Sequence, residues 1–343
     1  MNNFLITGGA GFIGSNFIKY FLKEYSDCFI VNLDKLTYAG NLENLKTVEN
    51  DKNYVFIKGS INNKELLDYL FSKYHINYVI NFAAESHVDR SILEPEIFFE
   101  TNVNGTLALL DIAKKYNVKK FIQISTDEVY GELSKSGYFT EDMPLAPNNP
   151  YSASKASAYI VCRAYYKTYS LPVVVTRCSN NYGPYQFPEK LMPLIIYKAL
   201  NNEKLPVYGD GTNVRDWIYV IDHCRAIDTV LKKGRAGEIY NIGGNSERQN
   251  IEVIRLIINI LGKSEDLIQF IEDRLSHDKR YAMDISKIKR ELEWDLTYTF
   301  EEGIKETIDW YLKNTDWIER CISGEYLKYY HQNYVARVKD GVV

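Results

Sequence analysis

Six short apolar runs, "NFLITG", "CFIVNLD", "YVFIKG", "YVINFAA", "KFIQIST" and "LPVVVTR", recur through the first half of the chain, with segments of helical length between them. Runs this continuous leave no solvent face, so they suit strands covered on both sides, and their alternation with helices supplies the cover. The pattern predicts an α/β fold built on a Rossmann-type doubly wound parallel sheet. After Cys178 the texture changes to "SNNYGPYQFPEKLMP", rich in Asn, Pro, Gly and aromatic residues, which predicts a boundary and a smaller, mixed α/β substrate-binding domain. "DWIYVIDHCRAI" and "GEIYNIGG" are strand-forming runs able to rejoin the first sheet. The expected domains are therefore interleaved: 1–178 with about 214–244 in the sheet domain, and about 179–213 with 245–343 mainly in the substrate domain.

Composition narrows the partners. A net charge of −4 lacks the basic face that nucleic acid demands. Cys28, Cys162, Cys178, Cys224 and Cys321 are odd in number and spread without a Cys-x-x-Cys pair, so they read as reduced core residues, and five histidines without ligand spacing predict no metal. No apolar run approaches membrane-spanning length, and "MNNFLITGG" enters a strand pattern without a basic leader. The expected location is cytoplasmic, with no membrane partner.

Gly8, Gly11 and Gly14 form "TGGAGFIG" directly after the first strand pattern and before the helical "SNFIKYFLKEY". Glycines there allow a tight turn and close approach of a pyrophosphate to a helix N-terminus. Asp34 closes the next strand twenty residues after Gly14, the offset of a carboxylate that accepts from an adenosine ribose. Such a carboxylate repels a 2'-phosphate, so NAD is expected over NADP, although Lys35 stands beside it.

Tyr151 and Lys155 in "PYSASKASAYI" share one helical face. An ammonium beside a phenol favours the phenolate, so Tyr151 can take a proton from a substrate hydroxyl while the adjacent carbon gives up hydride. "FIQISTDEVYG" poses a separate question, because a buried strand there runs into Thr126, Asp127 and Glu128. The residues alone allow a solvated strand exit, a helix cap or a catalytic pair.

Through "TGGAGFIG", "YSASK" and the strand-end Thr126, the chain resembles the extended short-chain dehydrogenase/reductase family over nearly its whole length. The resemblance is strongest to its branch that dehydrates nucleotide sugars, carried by "DKLTYAGNLENL", "NFAAESHVDRSI", "STDEVYG", "CSNNYGPYQFPEKLMPL" and "RYAMD". It implies dTDP-glucose as substrate, oxidised at carbon 4, dehydrated across carbons 5 and 6, and reduced at carbon 6 by the returning hydride, so that NAD is regenerated. It implies Glu128 as the base at carbon 5 and Asp127 as the acid at carbon 6, roles that need opposite protonation states; which carboxyl keeps the proton stays open. Neighbours on a strand point to opposite faces, so both can serve one substrate only if the chain leaves the strand at this point.

The same resemblance places Phe12, Ile13, Lys35, Thr37, Ile61, Ala83, Ala84, Thr101 and Asn181 along the cofactor with Gly8, Gly11, Gly14, Asp34, Tyr151 and Lys155. It places Ser86, Thr126, Asn180, Glu189, Lys190 and Leu191 by the hexose and diphosphate, and Pro206 and Tyr208 around the base, where an aromatic ring offers a stacking face. Arg215, Asn250, Arg274 and His277 are the diphosphate candidates. Two segments depart from the family pattern: "KGSINN" puts Ser60 where an Asp is expected at the adenine, and "DRLSHDKRY" puts Leu275 and Ser276 where Pro-Gly is expected.

A sister enzyme on the same scaffold, a dehydratase of a UDP- or CDP-sugar or a 4-epimerase, remains the rival. Uracil and thymine differ by one methyl, worth about 0.8 kcal/mol when buried. An epimerase needs no acid and base at carbons 5 and 6. A non-catalytic NAD-binding regulator would be expected to lack Tyr151, Lys155 or the carboxylates, and all are present. The patterns at 96–113 and 151–168 carry apolar residues on more than one face, including Ile97, Phe98, Phe99, Val103, Leu107 and Leu110, which predicts a homodimer through helix packing.

Overall fold

In the computed structural model, residues 2–322 are described; 323–343, the end of the expected substrate domain, lie outside the described residues. Successive side chains of the first strand enter different cores. Phe4 and Ile6 pack with Phe17, Phe21, Ile30, Ile80 and Ile122 on one face, whereas Leu5 packs with Val31, Leu33, Leu67, Val79, Leu109 and Phe121 on the other. This two-sided burial is the physical reason for the continuous apolar runs.

The strands in chain order are β1 (Asn2–Thr7), β2 (Cys28–Asp34), β3 (Tyr54–Lys58), β4 (Tyr78–Asn81), β5 (Lys120–Thr126), β6 (Val173–Cys178), β7 (Asn180–Tyr182), β8 (Leu205–Tyr208), β9 (Val214–Tyr219), β10 (Ile239–Ile242), β11 (Glu247–Gln249) and β12 (Ile268–Ile271). Seven of them form one sheet in the order β10-β6-β5-β4-β1-β2-β3, every pair parallel. The chain order reverses between β1 and β4, so a crevice opens outside their carboxyl ends. Thr7 is aligned with Leu33 and Asn81, which brings the loops after β1, β2 and β4 to one level.

The remaining strands build two small sheets, β11-β9-β7 and β12-β8, the first mixing antiparallel and parallel pairs. This corrects the expectation that "DWIYVIDHCRAI" rejoins the main sheet. Its first half is β9 beside β7, and its second half belongs to the helix Val220–Lys233, where Cys224, Ile227 and Leu231 are buried at helical spacing. Of the 214–244 segment, only β10 joins the seven strands.

The segment expected as one helix over 96–113 is also interrupted. A π-helical turn, Glu100–Asn104, lies between helices Pro95–Phe99 and Gly105–Lys115. The buried Asn102 there accepts from the Glu85 N–H at 2.9 Å and donates to the Glu85 carbonyl and the Ser154 hydroxyl at 3.0 and 2.8 Å. Single π turns of this kind gather at functional sites, and this one sets Thr101 into the wall of the crevice.

Candidate active site

The crevice holds a cavity of about 310 Å³. Its wall contains every residue assigned to the cofactor from sequence, including the loop Gly8, Gly11, Phe12, Ile13 and Gly14. Gly8 has φ +66°, and a Cβ on it would stand 2.6 Å from the Ala83 nitrogen; one on Gly14 would stand 2.4 Å from the Gly8 carbonyl oxygen. Side chains are thus excluded where a pyrophosphate must approach. The helix Phe12–Glu24 starts at Gly11, which offers no side-chain cap to its first turn. Asp34, 8% exposed, accepts from the Ala10 and Leu36 N–H groups at 2.9 and 2.8 Å. It therefore braces the glycine loop while lining the cavity. Burial pushes its carboxyl up against the pull of those two hydrogen bonds. Ser60, at the departure from the family pattern, lines the same wall and its hydroxyl accepts from the Asn62 N–H at 3.2 Å.

The strand exit resolves the geometric problem posed by "STDEVYG". β5 ends at Thr126 and the chain turns at once into a 3-10 helix, Asp127–Tyr130, which Thr126 caps by accepting from the Glu128 N–H. Capping and site formation therefore coexist in the same three residues. Three residues per turn rather than two leave both carboxylates on the cavity wall. Asp127 is 2% exposed; burial first, and then the charge of Glu128, push its carboxyl up to about 8. The Thr126 hydroxyl donates to its Oδ1 at 3.1 Å, while Oδ2 has no hydrogen-bond partner among the described residues. Burial raises Glu128 as well, but Arg215, Lys190, Arg274 and the Asn149 amide oppose that rise. Of the pair, Asp127 is pushed up by both burial and its neighbour's charge, whereas the rise of Glu128 is opposed by three cations.

Tyr151 and Lys155 lie on the helix Pro150–Tyr169, begun by a capping box of Asn149 and Ser152, and both line the cavity. Their electrostatics differ from expectation. Tyr151 packs against Val88 and Phe98; burial, with Glu128 next, holds its phenol well above the usual range, and a hydrogen bond with Thr126 only partly offsets this. Lys155 points its ammonium at the Ile124 carbonyl, 2.6 Å away, and burial lowers it to about 8. Adjacency on a helix shows that the two are neighbours, but not that desolvation outweighs their mutual effect.

A second cavity of about 160 Å³ shares Glu128, Asn180, Asn181, Gln186, Glu189 and Lys190 with the first. It is lined by Leu191, Pro206, Tyr208, Arg215, Asn250, Arg274 and His277, while Ser86 lines the first. Arg274 lies over the Tyr208 ring at 4.9 Å and near Asp89 at 3.7 Å; Arg215 lies over the Tyr281 ring at 4.3 Å. Lys190 donates to the Ser86 carbonyl at 3.1 Å. His277 meets Asp273 at 2.5 Å, while burial and the two arginines lower it to about 4. Leu275 is exposed and Ser276 has φ +51°. A glycine would hold that left-handed conformation without the cost of a Cβ.

Sequence reasoning passed over Asn149, whose amide donates to Glu128 Oε2 at 3.4 Å, and Gln186, whose amide donates to the Asn181 carbonyl at 2.9 Å. It also missed Asp89, which accepts from the Tyr208 hydroxyl at 3.3 Å, and Tyr281, which lines the second cavity. Only Asn149 carried a local signal, the Asn-Pro-x-Ser start of a helix.

A parallel doubly wound sheet with a glycine-walled cavity, a Tyr-Lys helix and a split carboxylate pair defines a nucleotide-dependent enzyme of the dehydrogenase type. More narrowly, the chain belongs to the family described as GDP-mannose 4,6 dehydratase, which it matches over residues 5–307. A dTDP-glucose 4,6-dehydratase of Xanthomonas campestris pv. campestris (strain B100) is 53% identical over 95% of this chain and 97% of its own length. The dTDP-glucose 4,6-dehydratase of Bacillus anthracis str. Ames, solved in complex with NAD, is 54% identical with a TM-score of 0.89, over 94% of this chain and all of its own. That of Streptomyces venezuelae, solved with NAD and TYD bound, is 46% identical with a TM-score of 0.91, over 93% and 99% of the two chains.

Proposed function

We infer that the protein is an NAD-dependent dTDP-glucose 4,6-dehydratase yielding dTDP-4-keto-6-deoxyglucose. The observation that carries the reading is the carboxylate pair at the strand exit, one member pushed up by burial and its neighbour's charge and the other faced by cations. Residues Gly8, Gly11, Phe12, Ile13, Gly14, Asp34, Lys35, Thr37, Ser60, Ile61, Ala83, Ala84, Thr101 and Asn181 would hold the dinucleotide, on the support of their shared cavity. When bound, NAD supplies the hydride acceptor for carbon 4, the later donor for carbon 6, and a cationic ring that favours the Tyr151 phenolate. Tyr151 takes the proton of the 4-hydroxyl, which Thr126 orients. The ketone so formed acidifies the proton on carbon 5, and Glu128 removes it. Asp127 protonates the departing 6-hydroxyl, because hydroxide is a poor leaving group. Arg215, Arg274, Lys190, Asn250 and His277 receive the diphosphate, and Tyr208 and Pro206 the base.

The test is to incubate the purified protein, with catalytic NAD, separately with dTDP-glucose and UDP-glucose and to record product masses. Loss of one water from dTDP-glucose alone is expected. Water loss from UDP-glucose alone would transfer the activity to a sister dehydratase, and unchanged masses in both would overturn the reading.

The chain is further proposed to act as a cytoplasmic homodimer. No helix among the described residues is long and apolar enough to cross a membrane. Ile97, Phe99, Leu107 and Ile160 are 39, 40, 36 and 58% exposed on the helices that carried two-sided apolar patterns, a surface that packing with a second copy would cover. Sedimentation at micromolar concentration should give twice the chain mass; a monomer mass would count against the dimer.

A further inference from the structure

Glu189 stands apart from the other residues assigned to the sugar, because its carboxylate is already engaged. Its side chain is 1% exposed. Oε1 accepts from the Tyr38 hydroxyl at 3.0 Å and Oε2 from Arg90 Nε at 3.4 Å. The Arg90 guanidinium also lies 3.7 Å above the Tyr38 ring, whose edge meets Phe187 at 5.6 Å between centroids. These residues come from three segments, the loop after β2, the segment after β4 and the loop after β7. Each segment also lines the cofactor cavity, through Thr37, Ala39 and Gly40, through Glu85 and Ser86, and through Phe187 and Lys190. Tyr38 and Arg90 themselves are only partly buried, which puts the contact at the rim.

We propose that Tyr38 and Arg90 close onto Glu189 as a clasp that joins the cofactor loop to the sugar loop and retains the dinucleotide through a complete reaction. The inference rests on the NAD reading of the first cavity. Its chemical sense follows from the redox balance: hydride leaves carbon 4 and returns to carbon 6 of the same molecule, so the reduced cofactor must stay until it is reoxidised. A carboxylate shared by a phenol and a stacked guanidinium suits this task. It has two charge-assisted hydrogen bonds to break before the loops part, and the stack adds a cation–π contact that a lysine would make less well. Tyr38 and Arg90 are positioning residues here, since neither is assigned to the substrate, the cofactor or the reacting atoms.

The experiment loads the parent, Tyr38→Phe and Arg90→Met holoenzymes with isotopically labelled NAD and follows release into an excess of unlabelled NAD, alongside turnover at saturating NAD. Release should be about tenfold faster or more in each variant, the effect of losing one charge-assisted hydrogen bond, with saturated turnover within about twofold of the parent. Arg90→Lys, which keeps the charge without the planar stack, should fall between. Release rates in Tyr38→Phe and Arg90→Met equal to the parent's, with both variants folded by circular dichroism, would overturn the clasp and leave the cofactor reading intact. A parent that binds no NAD in calorimetry would overturn both.

Discussion

Glu128→Gln should lower turnover of dTDP-glucose by about 10²–10⁴, the range that one positioned general base contributes. The substitution keeps the shape of the side chain and the Asn149 contact at Oε2 can be replaced by the amide oxygen, so folding should be unaffected. The point of failure is specific. Oxidation at carbon 4 depends on Tyr151 and Thr126, so reduced cofactor should accumulate on the enzyme in the presence of substrate. In heavy water, substrate recovered from this variant should carry no deuterium at carbon 5, because nothing removes that proton. Water loss at the parent's rate would remove Glu128 from the role of base.

Asp127→Asn should lower turnover by a similar factor, about 10²–10⁴, but at the next step. With Glu128 intact, the carbon-5 proton still exchanges, so recovered substrate should gain deuterium there much faster than product forms. The same substitution carries a stability signature. Asp127 titrates at about 8 in the folded protein against about 3.9 in an unfolded chain. Between those values the folded state holds the proton that the unfolded state has released, so the parent loses stability as pH rises, by up to about 1.4 kcal/mol per pH unit. The stabilising contribution is fully present below the unfolded value and is gone once pH passes the folded one. An asparagine does not titrate, so the variant's stability relative to the parent should climb between about pH 4 and pH 8 and level off above. Denaturant midpoints at about pH 5, 7 and 9 would show it; a pH-independent difference would mean that Asp127 is ionised in the fold.

The parts of this molecule that sequence made legible are those in which the chemistry is local. Gly8, Gly14 and Asp34 fall in one cavity because a tight strand-to-helix turn and the end of the adjacent parallel strand are fixed by a spacing of residues. The two-sided burial of β1 and β2 follows from composition within a single run. What could not be read is what depends on which distant segments meet. "DWIYV" has a strand's composition, but nothing local says that Asn180–Tyr182, rather than the main sheet, is its neighbour. Tyr281 lines the second cavity and Asp89 accepts from the Tyr208 hydroxyl, both in segments that carried the resemblance without a role for either residue. The different settings of Asp127 and Glu128 were equally hidden, since the cations that face Glu128 converge from separate segments, Arg215 on β9, Lys190 at the start of a helix and Arg274 after β12. The resemblance located the carboxylates, and only their environment distinguishes the two.

The abrupt passage from β5 into the 3-10 turn also has a stereochemical consequence. Asp127 and Glu128 are joined by one peptide unit and both line the cavity at the point where the chain leaves the sheet. On the roles proposed for them, a turn that brings Glu128 beneath carbon 5 brings Asp127 to the same side of the hexose ring. Proton and hydroxyl then depart from one face, a syn elimination, whereas an anti course would need its acid from the facing wall. The relative configuration of bond breaking is in this way inherited from the connectivity of two consecutive residues.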